Sequence, residues 1–163
     1  CVQLLGSGTI LREVIAAAAI LKDDYNVNAD IWSVTSFNEL RREALDVVRW
    51  NMLHPTEPAK ASHVENCLQG REGPVVAATD YMKIYADQIR EFIPGHYRVL
   101  GTDGFGRSDT REKLRHFFEV DRFYITVAAL KALLEEGKIS SEQVVQAMQK
   151  YGIDPEKPNP VTV

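Results

Sequence analysis

The sequence contains few of the residues that mark several common classes of protein. Only two cysteines, Cys1 and Cys67, occur among the 163 residues, and they form no CxxC pair. This scarcity argues against a disulfide scaffold and favours the reducing environment of the cytoplasm. The four histidines follow no metal-ligand spacing such as HExxH, so we expect no metal site.

An excess of positive charge is also missing. The chain has 19 lysines and arginines against 23 aspartates and glutamates, which gives a net charge of −4 and argues against a nucleic-acid partner. The longest apolar run, VIAAAAILK, is far shorter than the roughly 20 residues that span a bilayer, so we expect no membrane partner.

The start of the chain has no features of a secretion signal. A signal peptide needs a basic start and a small-residue cleavage site, and neither is present. The first residue is Cys1 rather than methionine, and CVQLLG already has the composition of a strand. We therefore expect the chain to be a fragment of a longer protein.

β-favouring apolar runs alternate with amphipathic stretches along the chain. The runs predict four strands, at Val2–Gly6, Asp30–Thr35, Val75–Thr79 and Arg98–Gly101. This alternation predicts an α/β fold with three layers, in which an open, mostly parallel sheet carries helices on both faces. Residues 1–163 are expected to form one domain.

Helical periodicity and capping residues predict the positions of the helices. We expect Thr9 to cap the first helix, Ser36 the second and Ser140 the last, and Asp121 or a neighbour to cap the helix between them. Helices are predicted over 10–22, 37–53, 81–93, 110–120, 123–137 and 141–152, with a short helical turn at 63–70. In 81–93 the residues expected to face the core are Ile84, Ile89 and Phe92. The tail, with three prolines, is expected to be extended.

Two glycine loops follow predicted strands, where open α/β sheets bind ligands. GSGT begins like G-x-G-x-x-G, but its sixth position is Leu11, and the second strand ends in Thr35 rather than in an acidic residue. GTDGFG lacks the GK[ST] of a phosphate-binding P-loop. The interpretation we favour is that these glycines only allow tight turns from strand to helix.

The residues after the second glycine loop allow two interpretations. Arg107, Ser108 and Asp109 could bind and orient an anion. The stronger interpretation is that Ser108 or Asp109 caps the following helix and Arg107 pairs with a carboxylate. His116, beside two phenylalanines, is expected to be packed rather than to act as a base. The residues alone therefore indicate a non-catalytic α/β domain of a larger enzyme.

Five segments, taken in order, are distinctive: VQLLGSGTILREV, SVTSFNELRRE, RWNMLHP, ATDYMK and YRVLGTDGFGRSDTREKLRHFFEVD. Together they resemble the C-terminal end of the homodimeric, bacterial-type pyruvate dehydrogenases, the decarboxylating components of the pyruvate dehydrogenase complex. A fainter similarity to transketolases lies in FGRS and the residues Leu114, Phe118, Val120 and Asp121.

The resemblance implies a parent enzyme that uses thiamine diphosphate and Mg²⁺ to decarboxylate pyruvate and acetylate a lipoyl group. In that family the cofactor lies between the two upstream domains of opposite subunits, so no catalytic, cofactor-binding or metal-binding residue is expected in this chain. The implied partners are the upstream domains, the second subunit of a homodimer and the dihydrolipoyl acetyltransferase component. The implied fold is the transketolase C-terminal domain with one antiparallel edge strand.

Within this fold we expect the second glycine loop to form a domain or subunit interface. The residues of this interface loop are Thr102, Asp103, Phe105, Arg107, Ser108 and Asp109. The alternative is a stand-alone small-ligand-binding or regulatory α/β domain, with GSGT and GTDGFG forming its pocket.

Overall fold

Four short strands form one sheet in the computed structural model, which describes all 163 residues. The sheet order is β2-β1-β3-β4, and all three neighbouring pairs are parallel. The strands are β1 (Val2–Gly6), β2 (Ala29–Ser33), β3 (Val75–Ala78) and β4 (Tyr97–Leu100). The predicted strands, their parallel pairing and the α/β class are therefore confirmed.

Seven helices and three 3₁₀ turns connect or cover these strands. The helices are α1 (Leu11–Tyr25), α2 (Phe37–Leu53), α3 (His63–Leu68), α4 (Lys83–Asp87), α5 (Arg111–Phe117), α6 (Arg122–Glu135) and α7 (Ser141–Lys150). The 3₁₀ turns are Gly8–Ile10, Arg90–Phe92 and Pro160–Thr162. None of the helices has the length and apolar character that crossing a bilayer requires.

Alternation along the buried strands divides the core into two layers. Val76 and Ala78 of β3 belong to the cluster packed under α1, α6 and α7, whereas Val75 and Ala77 belong to the cluster on the side of α2 and α3. Successive side chains of a strand point to opposite faces, so a strand buried on both faces is apolar throughout. This explains why VVAA shows no polar alternation in the sequence.

The chain reverses its direction of travel across the sheet between β1 and β3. From β1 it passes to β2 on one side, and from β3 it passes to β4 on the other. Right-handed crossovers then place α1 on one face and α2 to α4 on the opposite face. The carboxyl ends of β1 and β3 therefore form the switch point at which ligands enter open α/β sheets.

The predicted helix over 81–93 is wrong in its length. It divides into α4 and the 3₁₀ turn Arg90–Phe92. The hydroxyl of Tyr97 donates to the carbonyl of Ala86 at 2.7 Å, and this is the carbonyl that the amide of Arg90 would use in a continued α-helix. Ile89 and Phe92 are buried as expected, but Ile84 is 66% exposed.

Two further expectations are wrong, namely the antiparallel edge strand of the fold and the extended tail. The sheet has no antiparallel edge strand, and residues 151–163 add no strand to it. Three prolines in this segment lack the N–H groups that a strand ladder needs. The tail ends in a 3₁₀ turn rather than remaining extended, because the Asn159 side chain accepts a hydrogen bond from the amide of Val161 at 3.1 Å.

Several helix starts follow the sequence prediction. The side chain of Ser36 accepts a hydrogen bond from the amide of Glu39 at the start of α2. Asp121 caps α6 by accepting from the amides of the second and third helical residues at 3.0 and 2.9 Å. Before α7, the side chain of Gln143 accepts from the amide of Ser140 at 3.0 Å, as in a capping box.

One buried carboxylate joins the first helix to two later ones. Glu13 of α1 is only 5% exposed. Its oxygens accept hydrogen bonds from Arg115 of α5 at 2.9 Å and from both the amide and the guanidinium of Arg122 at 3.0 Å. Burial by itself raises the pKa of Glu13, but the bonds and charge of Arg122, with the charge of Arg115, hold it below its ordinary value of 4.5.

Replacing this carboxylate should destabilise the fold in a pH-dependent way. Glu13→Gln keeps the volume but removes the charge that both arginines require, so we expect a loss of about 2–3 kcal/mol at neutral pH. Because the folded pKa of Glu13 is lowered, its contribution is present above 4.5 and is lost as the pH falls below that value. Urea unfolding of both proteins across this range measures the difference.

The matched control is Glu57→Gln, since Glu57 is exposed and forms no ion pair. We expect this control to change stability by less than about 0.5 kcal/mol. A difference between the native protein and Glu13→Gln that stays constant from neutral to acid pH would contradict the ion-pair explanation.

Candidate functional site

The loops that follow the strands meet at the carboxyl edge of the sheet, where the switch point lies. Ser7, directly after β1, donates its hydroxyl proton to the hydroxyl of Thr79, directly after β3, at 2.8 Å. Both residues are buried. The base of the crevice is therefore closed by the protein's own side chains.

The first glycine loop is filled by a side chain of the same protein. Gly8 has φ +55°, and a Cβ atom placed on it would lie 3.4 Å from the carboxylate of Asp80. The hydroxyl of Thr9 donates to the other oxygen of Asp80 at 3.2 Å. Thr9 therefore does not cap α1 as predicted, and α1 begins at Leu11 after a 3₁₀ turn. A carboxylate stands against GSGT, where a dinucleotide-binding loop would need open space.

The second glycine loop is held at both ends by close backbone approaches. A Cβ atom on Gly101 would lie 2.7 Å from the carbonyl of Tyr81, and the amide of Thr102 donates to that carbonyl at 2.9 Å. Asp103 accepts a hydrogen bond from the amide of Lys83 at 3.0 Å. Further along, Gly104 has φ +108° and lies against the carbonyl of Pro160 in the tail. Gly101 and Gly104 are therefore required not only by the turn but also because a side chain at either position would collide with a backbone carbonyl.

The predicted roles of Arg107, Ser108 and Asp109 need correction. Thr110 is the residue that caps α5, through a hydrogen bond from the amide of Lys113 at 3.4 Å. Asp109 accepts from the amide of Thr110 at 2.7 Å. Arg107 forms no ion pair; its guanidinium lies over the ring of Phe117, 4.4 Å from the centroid. The ring of Phe117 therefore takes the place of the carboxylate partner predicted for Arg107.

Both glycine loops line a single cleft of about 530 Å³ between the strand ends and α5. Three arginines contribute to its walls: Arg107, Arg111 and Arg115. The remaining lining residues are Thr9, Ile10, Asp80, Thr102, Gly104, Gly106, Leu114, Phe118 and Val120. The two loops named in the alternative interpretation of the sequence are thus brought together.

Five exposed apolar side chains lie on the segments that follow β3 and β4. They are Tyr81, Met82, Ile84, Tyr85 and Phe105, and we call them the apolar rim. The Tyr81 and Tyr85 rings meet edge to face, with 5.9 Å between centroids, and Phe105 is 78% exposed. Sequence reasoning missed this group because it assigned Ile84 to the core. The apolar density of YMKIY was the available signal.

Two titratable residues near α5, His116 and Tyr124, have defined surroundings within the domain. The Nδ1 atom of His116 lies 3.0 Å from the carboxylate of Asp121, which is already used as a helix cap. Burial raises the pKa of Tyr124 to about 12, so its hydroxyl remains protonated at neutral pH. No group of three or more His, Cys, Asp or Glu side chains is placed to hold a metal ion.

The fold and the carboxyl-edge loops together define a parallel α/β domain of the three-layer class, with surface features at the ends of its strands. The chain belongs to the family of transketolase-like C-terminal domains, since the model of the "Transketolase-like TK C-terminal domain" matches residues 1–121. This confirms the resemblance seen in the sequence.

Curated relatives with high identity carry one name. The chain is 62% identical over 162 residues to the "Pyruvate dehydrogenase E1 component" of Cupriavidus necator, with 99% of this chain covered. It is 63% identical over 98% of its length to the protein of that name from Pseudomonas aeruginosa, and 54% identical to that of Escherichia coli K12. The chain spans only 18% of the length of each of these relatives.

A solved structure shows the same fold at low sequence identity. The chain aligns with a "Split gene transketolase, inactive beta4 tetramer" with a TM-score of 0.56 and 18% identity. The alignment covers 82% of this chain and 39% of that one. This likeness supports the arrangement of strands and helices.

The contact between the second glycine loop and the tail can be tested by two alanine substitutions. Gly104→Ala should cost about 1–3 kcal/mol, because φ +108° is strained for alanine and its Cβ atom would lie 2.4 Å from the carbonyl of Pro160. Gly106→Ala is the matched control in the same loop, since no atom lies within 4 Å of its added Cβ atom. Thermal unfolding measures both. Equal effects would show that the tail contact does not restrict the loop.

Proposed function

We propose that this chain, as a single domain over residues 1–163, is the C-terminal part of a thiamine-diphosphate-dependent pyruvate dehydrogenase. The observation that carries the proposal is identity of 62–63% to pyruvate dehydrogenase E1 components across nearly the whole chain. The parent enzyme would decarboxylate pyruvate in the cytoplasm and transfer the acetyl group to a lipoyl group of a dihydrolipoyl acetyltransferase.

The residues of this chain do not fit thiamine diphosphate and Mg²⁺. A diphosphate–magnesium site needs oxygen ligands for the cation, and no acidic cluster converges here. The N-terminus of α1 would favour a bound phosphate, but the negative charge of Asp80 beside Gly8 disfavours one at that position. We assign cofactor binding and chemistry to other parts of the parent polypeptide, and no reaction step to this chain.

The domain's own role is structural contact with the rest of the enzyme. The interface loop, Thr102, Asp103, Phe105, Arg107, Ser108 and Asp109, lies at the same edge of the sheet as the apolar rim. A cluster of exposed aromatic and aliphatic side chains costs free energy in water and is typical of contact surfaces. We propose that this edge contacts the upstream domains or the second subunit of a homodimer.

Calorimetric titration of the 163-residue chain with thiamine diphosphate and Mg²⁺ tests the assignment of the cofactor. We expect no saturable heat, because the chain lacks converging carboxylate ligands. The full-length parent is the positive control and should bind the cofactor and decarboxylate pyruvate. Saturable micromolar binding to one site on the short chain would overturn the assignment. A full-length protein without pyruvate decarboxylation would overturn the proposed parent activity.

The contact role predicts a defect in assembly rather than in chemistry. Phe105→Ser in the full-length protein removes an aromatic side chain that is 78% exposed in this chain. If a partner surface covers that ring, the dissociation constant of the assembly should rise by about 30-fold, equivalent to about 2 kcal/mol. Sedimentation velocity over a dilution series measures it.

The control for this substitution is Val145→Ser on α7, which removes another exposed apolar side chain. We expect this control to leave assembly unchanged. The single-turnover rate of the fully assembled Phe105→Ser protein should equal that of the native enzyme. A large fall in that rate with normal assembly would instead make the loop part of the catalytic machinery.

A second function has support from the cleft. The sequence alternative of a small-ligand-binding domain required GSGT and GTDGFG to share a pocket, and residues of both loops line the same space. Thr102 and Arg107 of the interface loop line this cleft, whereas Phe105 of the apolar rim does not.

A further inference from the structure

Two arginines in the cleft have no carboxylate partner. Arg111 forms no ion pair or side-chain hydrogen bond, and Arg107 has only the ring of Phe117 beneath its guanidinium. The planar face of Arg107 is occupied by this stacking, but the N–H groups at the edge of the guanidinium remain available. Neither guanidinium has a carboxylate within ion-pair distance, although Asp80 lines the same cleft.

The third arginine is arranged differently. Arg115 donates to Glu13 at 2.9 Å, and its side chain is only 20% exposed. This ion pair neutralises Arg115 and links α5, whose first residue is Arg111, to the buried Glu13 of α1. The position of Arg111 therefore depends on a buried network rather than on the glycine loop alone.

The cleft also contains oxygen atoms that can accept hydrogen bonds. The carboxylate of Asp80 accepts from the hydroxyl of Thr9 at 3.2 Å, and the hydroxyl of Thr102 donates to the backbone carbonyl of Asp80. Asp80 forms no ion pair, so it can accept a further hydrogen bond. The cleft combines a positive part with a part that accepts hydrogen bonds.

We propose that this cleft binds a small phosphate monoester that carries a hydroxyl group. The phosphate is bound by Arg107 and Arg111, whose guanidinium groups match the geometry of phosphate oxygens. The hydroxyl of the ligand donates to Asp80. A concave wall strengthens the local field, so the site attracts a dianion although the whole chain carries a net charge of −4. The volume of about 530 Å³ is in the range of small-molecule sites.

This inference goes beyond the proposed pyruvate dehydrogenase role and does not depend on it. It requires neither thiamine diphosphate nor the remaining domains, because every residue in the argument lies in this chain. The proposal and the parent activity can therefore fail separately.

The test is a titration of the ¹⁵N-labelled 163-residue chain with glycerol 3-phosphate and, separately, with inorganic phosphate, followed by NMR. We expect saturable shifts of the amides of Thr102, Gly104 and Gly106. Arg111→Ala should raise the dissociation constant for glycerol 3-phosphate by about tenfold, the loss expected for one charge-assisted contact. Arg111→Lys, which keeps the charge, should restore part of the affinity.

The matched control is Arg49→Ala on α2, because Arg49 is also exposed and forms no ion pair. This control should leave the dissociation constant unchanged. Equal effects of Arg49→Ala and Arg111→Ala, or shifts scattered over the surface that vanish at about 0.15 M NaCl, would overturn the site. Asp80→Asn tests the contact of the ligand hydroxyl separately from the contacts of the phosphate. Equal affinity of the native chain for glycerol 3-phosphate and inorganic phosphate would overturn the contact between hydroxyl and Asp80.

Discussion

Parallel strands point their carboxyl ends in one direction, and the surface features of this domain depend on that constraint. All three strand pairs are parallel, so the loops after β1, β3 and β4 emerge at one edge although they are far apart in the sequence. The buried hydrogen bond from Ser7 to Thr79 joins two of these loops across 72 residues. The same edge carries the arginine-lined cleft and the apolar rim.

The ion pairs of Glu13 connect α1, which follows β1, to the later helices α5 and α6. Neither α5 nor α6 is held at this edge by strand pairing. α6 packs on α1 through the apolar core, and Arg115 of α5 and Arg122 of α6 both add an ion pair to one carboxylate of α1. Because that carboxylate is 5% exposed, it is stable as an anion only while both partners remain. The wall of the cleft formed by α5 is therefore coupled to the interior of the domain.

The chain belongs to the transketolase-like C-terminal family, and the contacts of its side chains agree with the proposed role as one domain of a larger enzyme. The chain spans 18% of the pyruvate dehydrogenase relatives and contains no converging metal ligands. Its polar side chains at the switch point, Ser7, Thr79 and Asp80, are used in contacts within the domain. The same edge exposes the apolar rim and the arginine-lined cleft, which are suited to contact and to anion binding.

The sequence by itself determined the four strands, their parallel class, the caps of α2, α6 and α7, and the family, because these depend on local periodicity and on the long GTDGFGRSD motif. It did not determine where the helix after β3 ends, since that end is set by the hydroxyl of Tyr97, a residue in the next strand. It also could not show that Asp80 fills GSGT or that Arg107 stacks on Phe117. Those contacts join residues from separate loops and helices, and only the packed tertiary structure decides which side chains meet.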